Sequence, residues 1–188
     1  MAALKEKILK GATLKDVVDH INGLPEASRV GDVLALDATA QKKLFALAGS
    51  GTMLSLDQLI PVAQSGREVV FHGKNSLPVF TRFQKRFFRR PDGKIFGYNF
   101  QTMTWATGPG YFEVTASPRD GKELLFDYTH LPDKGLAQWP RVKDNRRGLS
   151  RFVYGGMNDY VRKVTETCLV GWAFKDGKDI DSTFVLVR

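Results

Sequence analysis

From residue 67 onward the chain is divided into short β-rich runs by closely spaced turn signals, and nothing else in it restricts the fold as much. Pro91-Asp92-Gly93, Gly108-Pro109-Gly110, Pro118-Arg119-Asp120-Gly121, Pro132-Asp133-Lys134-Gly135 and Lys175-Asp176-Gly177-Lys178 each carry the residues that tight turns require. Between and around them lie Glu68–His72, Phe80–Arg90, Ile95–Trp105, Tyr111–Ala116, Glu123–Thr129, Leu149–Tyr154, Tyr160–Val164, Cys168–Phe174 and Thr183–Arg188. About eight or nine short strands at that spacing predict an antiparallel barrel or sandwich, because parallel strands need crossover helices that this part lacks. The Pro78–Arg90 run also admits a second reading. There Val79, Phe80, Phe83 and Phe87 would line one helix face, with Arg82, Lys85, Arg86 and Arg89 around the other side.

Residues 1–66 have a different character. They hold seven basic and seven acidic residues and one of the twenty-one aromatics, Phe45, so the whole net charge of +8 falls in residues 67–188. Thr13 with Asp16, and Ser55 with Gln58, read as capping boxes. Leu14, Val17, Val18 and Ile21 follow the first at helical spacing, and a further helix is predicted from Asp37 or Thr39 to Gly49. Helices this short are marginal alone in water and must dock on something. The expected organisation is a helical segment, 1–66, packed against a strand-rich part, 67–188, as one compact unit.

The chain's 188 residues suit a single domain with a real core. One cysteine, Cys168, excludes an intramolecular disulfide framework. The opening residues are charged and carry no leader pattern, and no run is long enough to span a bilayer, so a cytoplasmic location is expected.

Alternation along the strands selects candidate binding residues. Phe96, Tyr98 and Phe100 share one face, and Asn99, Gln101, Met103 and Trp105 the other; Tyr111, Glu113 and Thr115 align, as do Leu124, Phe126 and Tyr128, and Cys168, Val170, Trp172 and Phe174. Tyr98, Trp105, Tyr111, Tyr128 and Trp172 are therefore candidate walls of a ligand cavity, or simply core. Arg151 and Arg162 sit between apolar neighbours, where a guanidinium needs an acidic partner: Asp127, Asp159 or Glu113 within the protein, or the acidic head of a ligand.

The tail carries a resemblance. Leu149-Ser150-Arg151-Phe152-Val153-Tyr154, Asn158-Asp159-Tyr160-Val161-Arg162-Lys163-Val164, Leu169-Val170-Gly171 and Phe184-Val185-Leu186-Val187-Arg188 resemble the domain of unknown function that follows a GxWxG-type motif in small bacterial and fungal proteins. Upstream, Phe71-His72-Gly73-Lys74 is similar to a Trp-x-Gly-Lys element, and no GxWxG occurs. The resemblance implies a calycin-like β-barrel and brings no catalytic residues. The fold class expected is thus α+β, short N-terminal helices on a calycin-like antiparallel barrel or strongly curved sheet.

Such barrels hold side chains or one small ligand, and a small, apolar or amphipathic ligand is the leading expectation. A second reading is a surface for an anionic polymer such as nucleic acid, formed by Arg82, Lys85, Arg86 and Arg89 with interleaved phenylalanines. A third is a small enzyme acting in the same cavity through Tyr98, His130, Tyr154 or Arg162. Asp127 and His130 would meet only if their strand ends at Thr129. His20, His72 and His130 lack ligand spacing, and no nucleotide fingerprint is present, so neither metal nor cofactor is expected.

Overall fold

The computed structural model describes residues 3–79, 81–102 and 104–188; Phe80 and Met103, assigned above to strand runs, lie outside them. Short helices come first: α1 (Ala3–Leu9), α2 (Leu14–Asn22), α3 (Glu26–Val33), α4 (Ala38–Ala48) and α5 (Leu56–Leu59). Both capping boxes form. The Asp16 amide donates to Thr13 Oγ1 at 3.2 Å while the Thr13 amide donates to Asp16, and Ser55 and Gln58 do the same ahead of α5. Asp37 caps α4 by accepting from the Ala40 amide. The sequence did not signal α3, which starts after Pro25 with no side-chain cap.

The strands are β1 (Glu68–Asn75), β2 (Arg82–Arg89), β3 (Ile95–Phe100), β4 (Tyr111–Ala116), β5 (Leu124–Asp127), β6 (Met157–Lys163), β7 (Cys168–Lys175) and β8 (Lys178–Val187). Each pairs antiparallel with the next, and β8 pairs with β1, so the sheet closes into an eight-stranded up-and-down barrel. The expected class, helices on an antiparallel barrel, is the one found. The ambiguous Pro78–Arg90 run resolves as strand β2, paired to β1 on one side and β3 on the other.

Two strand expectations are corrected. Leu149–Tyr154 is not a strand: its centre forms a single helical turn, α7 (Ser150–Val153), because the neighbouring position on β5 is taken by β6. The Ile95–Trp105 run stops at Phe100, and a second single turn, α6 (Thr104–Thr107), follows.

Leu4, Ile8, Val17, Ile21 and Leu44 from the helices bury themselves against Val170, Val185 and Val187, which point outward from β7 and β8. One end of the barrel is solid. Phe71, Phe87, Phe112, Phe126 and Leu186 point inward there, and Leu54, Leu59 and Ile60 close it from below. Phe112 and Phe126 stack with centroids 5.2 Å apart. Gly97 on β3 makes this possible, because a Cβ there would lie 2.6 Å from the Phe112 ring and 2.9 Å from the Arg86 carbonyl. The long β5–β6 connection runs as a strap over the outer wall, where Trp139 packs on Phe88, Tyr98 and Tyr111 and donates to Glu68 at 2.6 Å.

Candidate functional site

Above this aromatic plug the barrel is open. A cavity of about 460 Å³ lies between the plug and the end where the β1–β2, β3–β4, β5–β6 and β7–β8 connections gather. Its walls are mainly apolar, and its charged and polar groups are few and convergent, the usual make-up of a ligand site.

The central group is Lys85. On a strand of period two, Phe83, Lys85 and Phe87 share a face, and closure of the sheet turns that face inward. Lys85 pairs in register with Asn99 on β3, and its Nζ donates to Asn99 Oδ1 at 2.9 Å. It also donates to Tyr128 Oη at 2.5 Å and to Asp159 Oδ2 at 3.1 Å. Tyr128 Oη donates to Asp159 Oδ2 at 3.1 Å and accepts from Asn99 Nδ2 at 2.9 Å. The lysine and aspartate side chains are each 3% exposed. Phe112 and Phe184 place their rings 4.7 and 5.0 Å from the ammonium.

Three N–H donors and three acceptors satisfy the ammonium completely. Burial nevertheless lowers the Lys85 pKa, outweighing the opposing attraction of Asp159. Burial, reinforced by the Asp159 charge, holds the Tyr128 phenol well above its ordinary range. Asp159 receives both of its hydrogen bonds on Oδ2; among the described residues Oδ1 has none, and Asp159 lines the cavity. The floor is therefore a neutral, hydrogen-bonded cluster with one acceptor left open.

Tyr154 forms the next layer. Its ring stacks on Tyr128 with centroids 5.7 Å apart and 3° between planes, and Gln101 Nε2 donates to its hydroxyl at 3.1 Å. Burial pushes its pKa up to about 12. Gly110, at φ 56°, lies flat against this ring, where a Cβ would come within 2.5 Å.

Of the residues that the sequence marked for a ligand, Tyr128 lines the cavity, as does Tyr154, marked for catalysis. Tyr98 and Tyr111 lie on the outer wall beneath Trp139, and Trp172 packs outside against Phe45. Trp105 projects from α6 at the rim and is 80% exposed. Arg162 also faces outward: Nε donates to Glu123 at 2.8 Å, and NH1 donates to the Phe45 carbonyl at 2.9 Å, so its partner is internal. Arg151 lines a separate depression of about 410 Å³ beside the mouth, with Arg146, Lys175 and Asp176. His130 does meet Asp127, at 2.7 Å, since β5 ends at Asp127 and the chain turns; the pair lies outside the cavity, with the imidazole 70% exposed.

The basic set of Arg82, Lys85, Arg86 and Arg89 does not form one surface. Arg82 and Arg86 point outward, Arg86 stacking on Phe100 at 4.3 Å. Lys85 is interior, and Arg89 is tied to Asp57 and the Ile60 carbonyl at the closed end. The alternation of β2 separates what a helix would have gathered. Among the described residues no group of three His, Cys, Asp or Glu side chains could hold a metal ion.

Compared with known protein families, curated proteins and solved structures, the chain shows no match.

Proposed function

We propose that the protein binds one small, largely apolar molecule in the barrel cavity, with a neutral polar group of that molecule resting on the Lys85–Asp159–Tyr128–Asn99 floor. The observation that carries the reading is a single buried, charge-balanced cluster at the bottom of an apolar cavity that opens at one end. An anionic head would be repelled by Asp159 and find no donor to spare on Lys85, and a cationic one would be repelled by Lys85. A hydroxyl or amide N–H instead completes the open oxygen of Asp159. On this reading the barrel would serve as a ligand-holding barrel of the kind that the resemblance carried by the tail implies.

Native mass spectrometry of freshly purified protein, compared with the denatured sample, tests for a co-purified mass. Calorimetric titration with dodecanol and with dodecanoate then tests the head group. The expected result is binding of the alcohol at least about tenfold tighter than the carboxylate, the scale of one hydrogen bond to a charged group. Absence of a co-purified mass together with no binding of either probe would refute the proposal.

A further inference from the structure

We propose that the open end of the barrel docks on an anionic lipid bilayer. The inference rests on surface residues and extends the cavity-ligand reading by giving an apolar ligand a way in that avoids water.

Among the described residues eleven large apolar side chains are exposed, and eight of them surround the cavity mouth. They come from all four connections at that end: Leu77 and Val79 between β1 and β2, Phe100 at the end of β3 with Trp105 on α6, Leu149, Phe152 and Val153 at α7, and Ile180 at the start of β8. Exposed apolar residues scattered singly need no explanation, but four separate segments converging on one rim form a patch. Phe152, at 64% exposure, and Trp105 are its most prominent members. Leu77, Val79, Phe152 and Ile180 also line the cavity, so the rim and the interior are one continuous apolar surface.

Charge selects the occupant. The segments forming this end, 76–82, 100–109, 141–153 and 175–182, contain eight basic and four acidic residues, half of the chain's net charge of +8. The excess lies in 141–153, where Arg141, Lys143, Arg146, Arg147 and Arg151 face a single acid, Asp144. All five are exposed, and among the described residues only Arg147 pairs with that acid. Arg146, Arg151 and Lys175 share the depression beside α7, level with Phe152. Basic side chains interleaved with aromatic and aliphatic ones are the composition that holds a peripheral protein on anionic headgroups while apolar residues enter the acyl boundary. No helix of the described residues is long and apolar enough to cross a membrane.

Sedimentation with phosphatidylcholine vesicles, with and without phosphatidylglycerol, tests the proposal on the full chain. Binding is expected only with the anionic lipid and is expected to weaken as salt rises. Phe152→Ser and Leu149→Ser should each weaken it about tenfold, and Arg146→Gln and Arg151→Gln about fivefold each. All four are exposed, so an unchanged thermal midpoint separates lost docking from lost folding. Trp105 supplies a depth reading, since Trp139 is buried and Trp172 Nε1 donates to Asp179. Acyl-brominated lipid should quench the fluorescence, and Trp105→Phe should abolish that quenching while leaving sedimentation nearly intact. No sedimentation at low salt, or sedimentation indifferent to the Phe152 and Leu149 changes, would overturn the proposal. Self-association that shields Trp105 and excludes vesicles would assign the rim to a second copy and also overturn it. Dodecanol binding without vesicle binding would sink this inference and leave the cavity reading standing.

Discussion

Replacing Asp159 by Asn should expose how much the barrel depends on its internal ion pair. The amide keeps the shape of the carboxylate and removes the counter-charge that, among the described residues, is the only one bonded to Lys85, whose other polar partners, Asn99 and Tyr128, are neutral. With both side chains only 3% exposed, water offsets little of that loss. Removing one partner of such a pair costs about 3–5 kcal/mol, against a total stability of about 5–15 kcal/mol for a domain. At about 2–4 °C per kcal/mol for a chain of this size, the midpoint should fall by about 6–20 °C. The sign of the pH dependence follows from the Lys85 pKa, which burial holds below its unfolded value. In that window the unfolded chain binds the extra proton, so this group's contribution to stability rises with pH toward about 10.4. Loss of Asp159 lowers the folded pKa further and extends the rising limb to lower pH. Tyr128 acts oppositely: its raised pKa favours the fold up to about pH 10 and is lost above it, so the comparison belongs below pH 10. Urea unfolding of Asp159→Asn, Lys85→Met and the double variant would measure the coupling. The double variant should recover to within about 2 kcal/mol of the parent. A loss below about 1 kcal/mol in the single Asp159 variant, or strictly additive losses in the double, would refute the reasoning.

Gly97→Ala should destabilise the barrel by about 1–3 kcal/mol in denaturant titration, because the added Cβ meets both the Phe112 ring and the Arg86 backbone carbonyl; a neutral result would mean that the β2–β3–β4 wall yields easily. Cys168 is fully buried under the helices, and burial pushes its thiol up to about 12. It should react with a thiol reagent at neutral pH only at the rate of unfolding, and prompt reaction in native buffer would show that the helical layer opens from β7.

The barrel could be read from the sequence because its turns are chemically marked. Pro91-Asp92-Gly93 joins β2 to β3, and Lys175-Asp176-Gly177-Lys178 joins β7 to β8, with Asp176 and Gly177 both at positive φ. Helices α2, α4 and α5 were equally legible through Thr13, Asp37 and Ser55, whose side chains cap them. Leu149–Tyr154 was misread because a run of apolar and aromatic residues says nothing about whether a neighbouring strand has a free edge. Here β5 already pairs with β6, so the run coils into one turn and leaves Phe152 exposed at the rim.

The site was harder to see, for a reason specific to β2. A basic residue in a run that reads Arg-Phe-Gln-Lys-Arg-Phe-Phe-Arg looks like one member of a charged surface if the run is taken as a helix. At period two the same run places Lys85 between Phe83 and Phe87, alone on an aromatic face, which is the argument that singled out Arg151 and Arg162. Those two arginines escape burial, one at the surface and one tied outside to Glu123. Lys85 cannot escape, because the ring closes around it. What strand alternation leaves open is which face is the inside, and for an isolated strand the composition of β3 misleads. Phe96 and Tyr98 look like the core yet lie outside under Trp139, while Asn99 and Gln101 face the cavity. Closure, set by the pairing of β1 with β8, decides the matter, and those strands are more than a hundred residues apart in sequence. A charged residue on an aromatic face, next to a strand that turns its amides to the same side, is thus the local mark of a polar floor in a closed barrel. Lys85 and Asn99, paired in register, carry that mark in this chain.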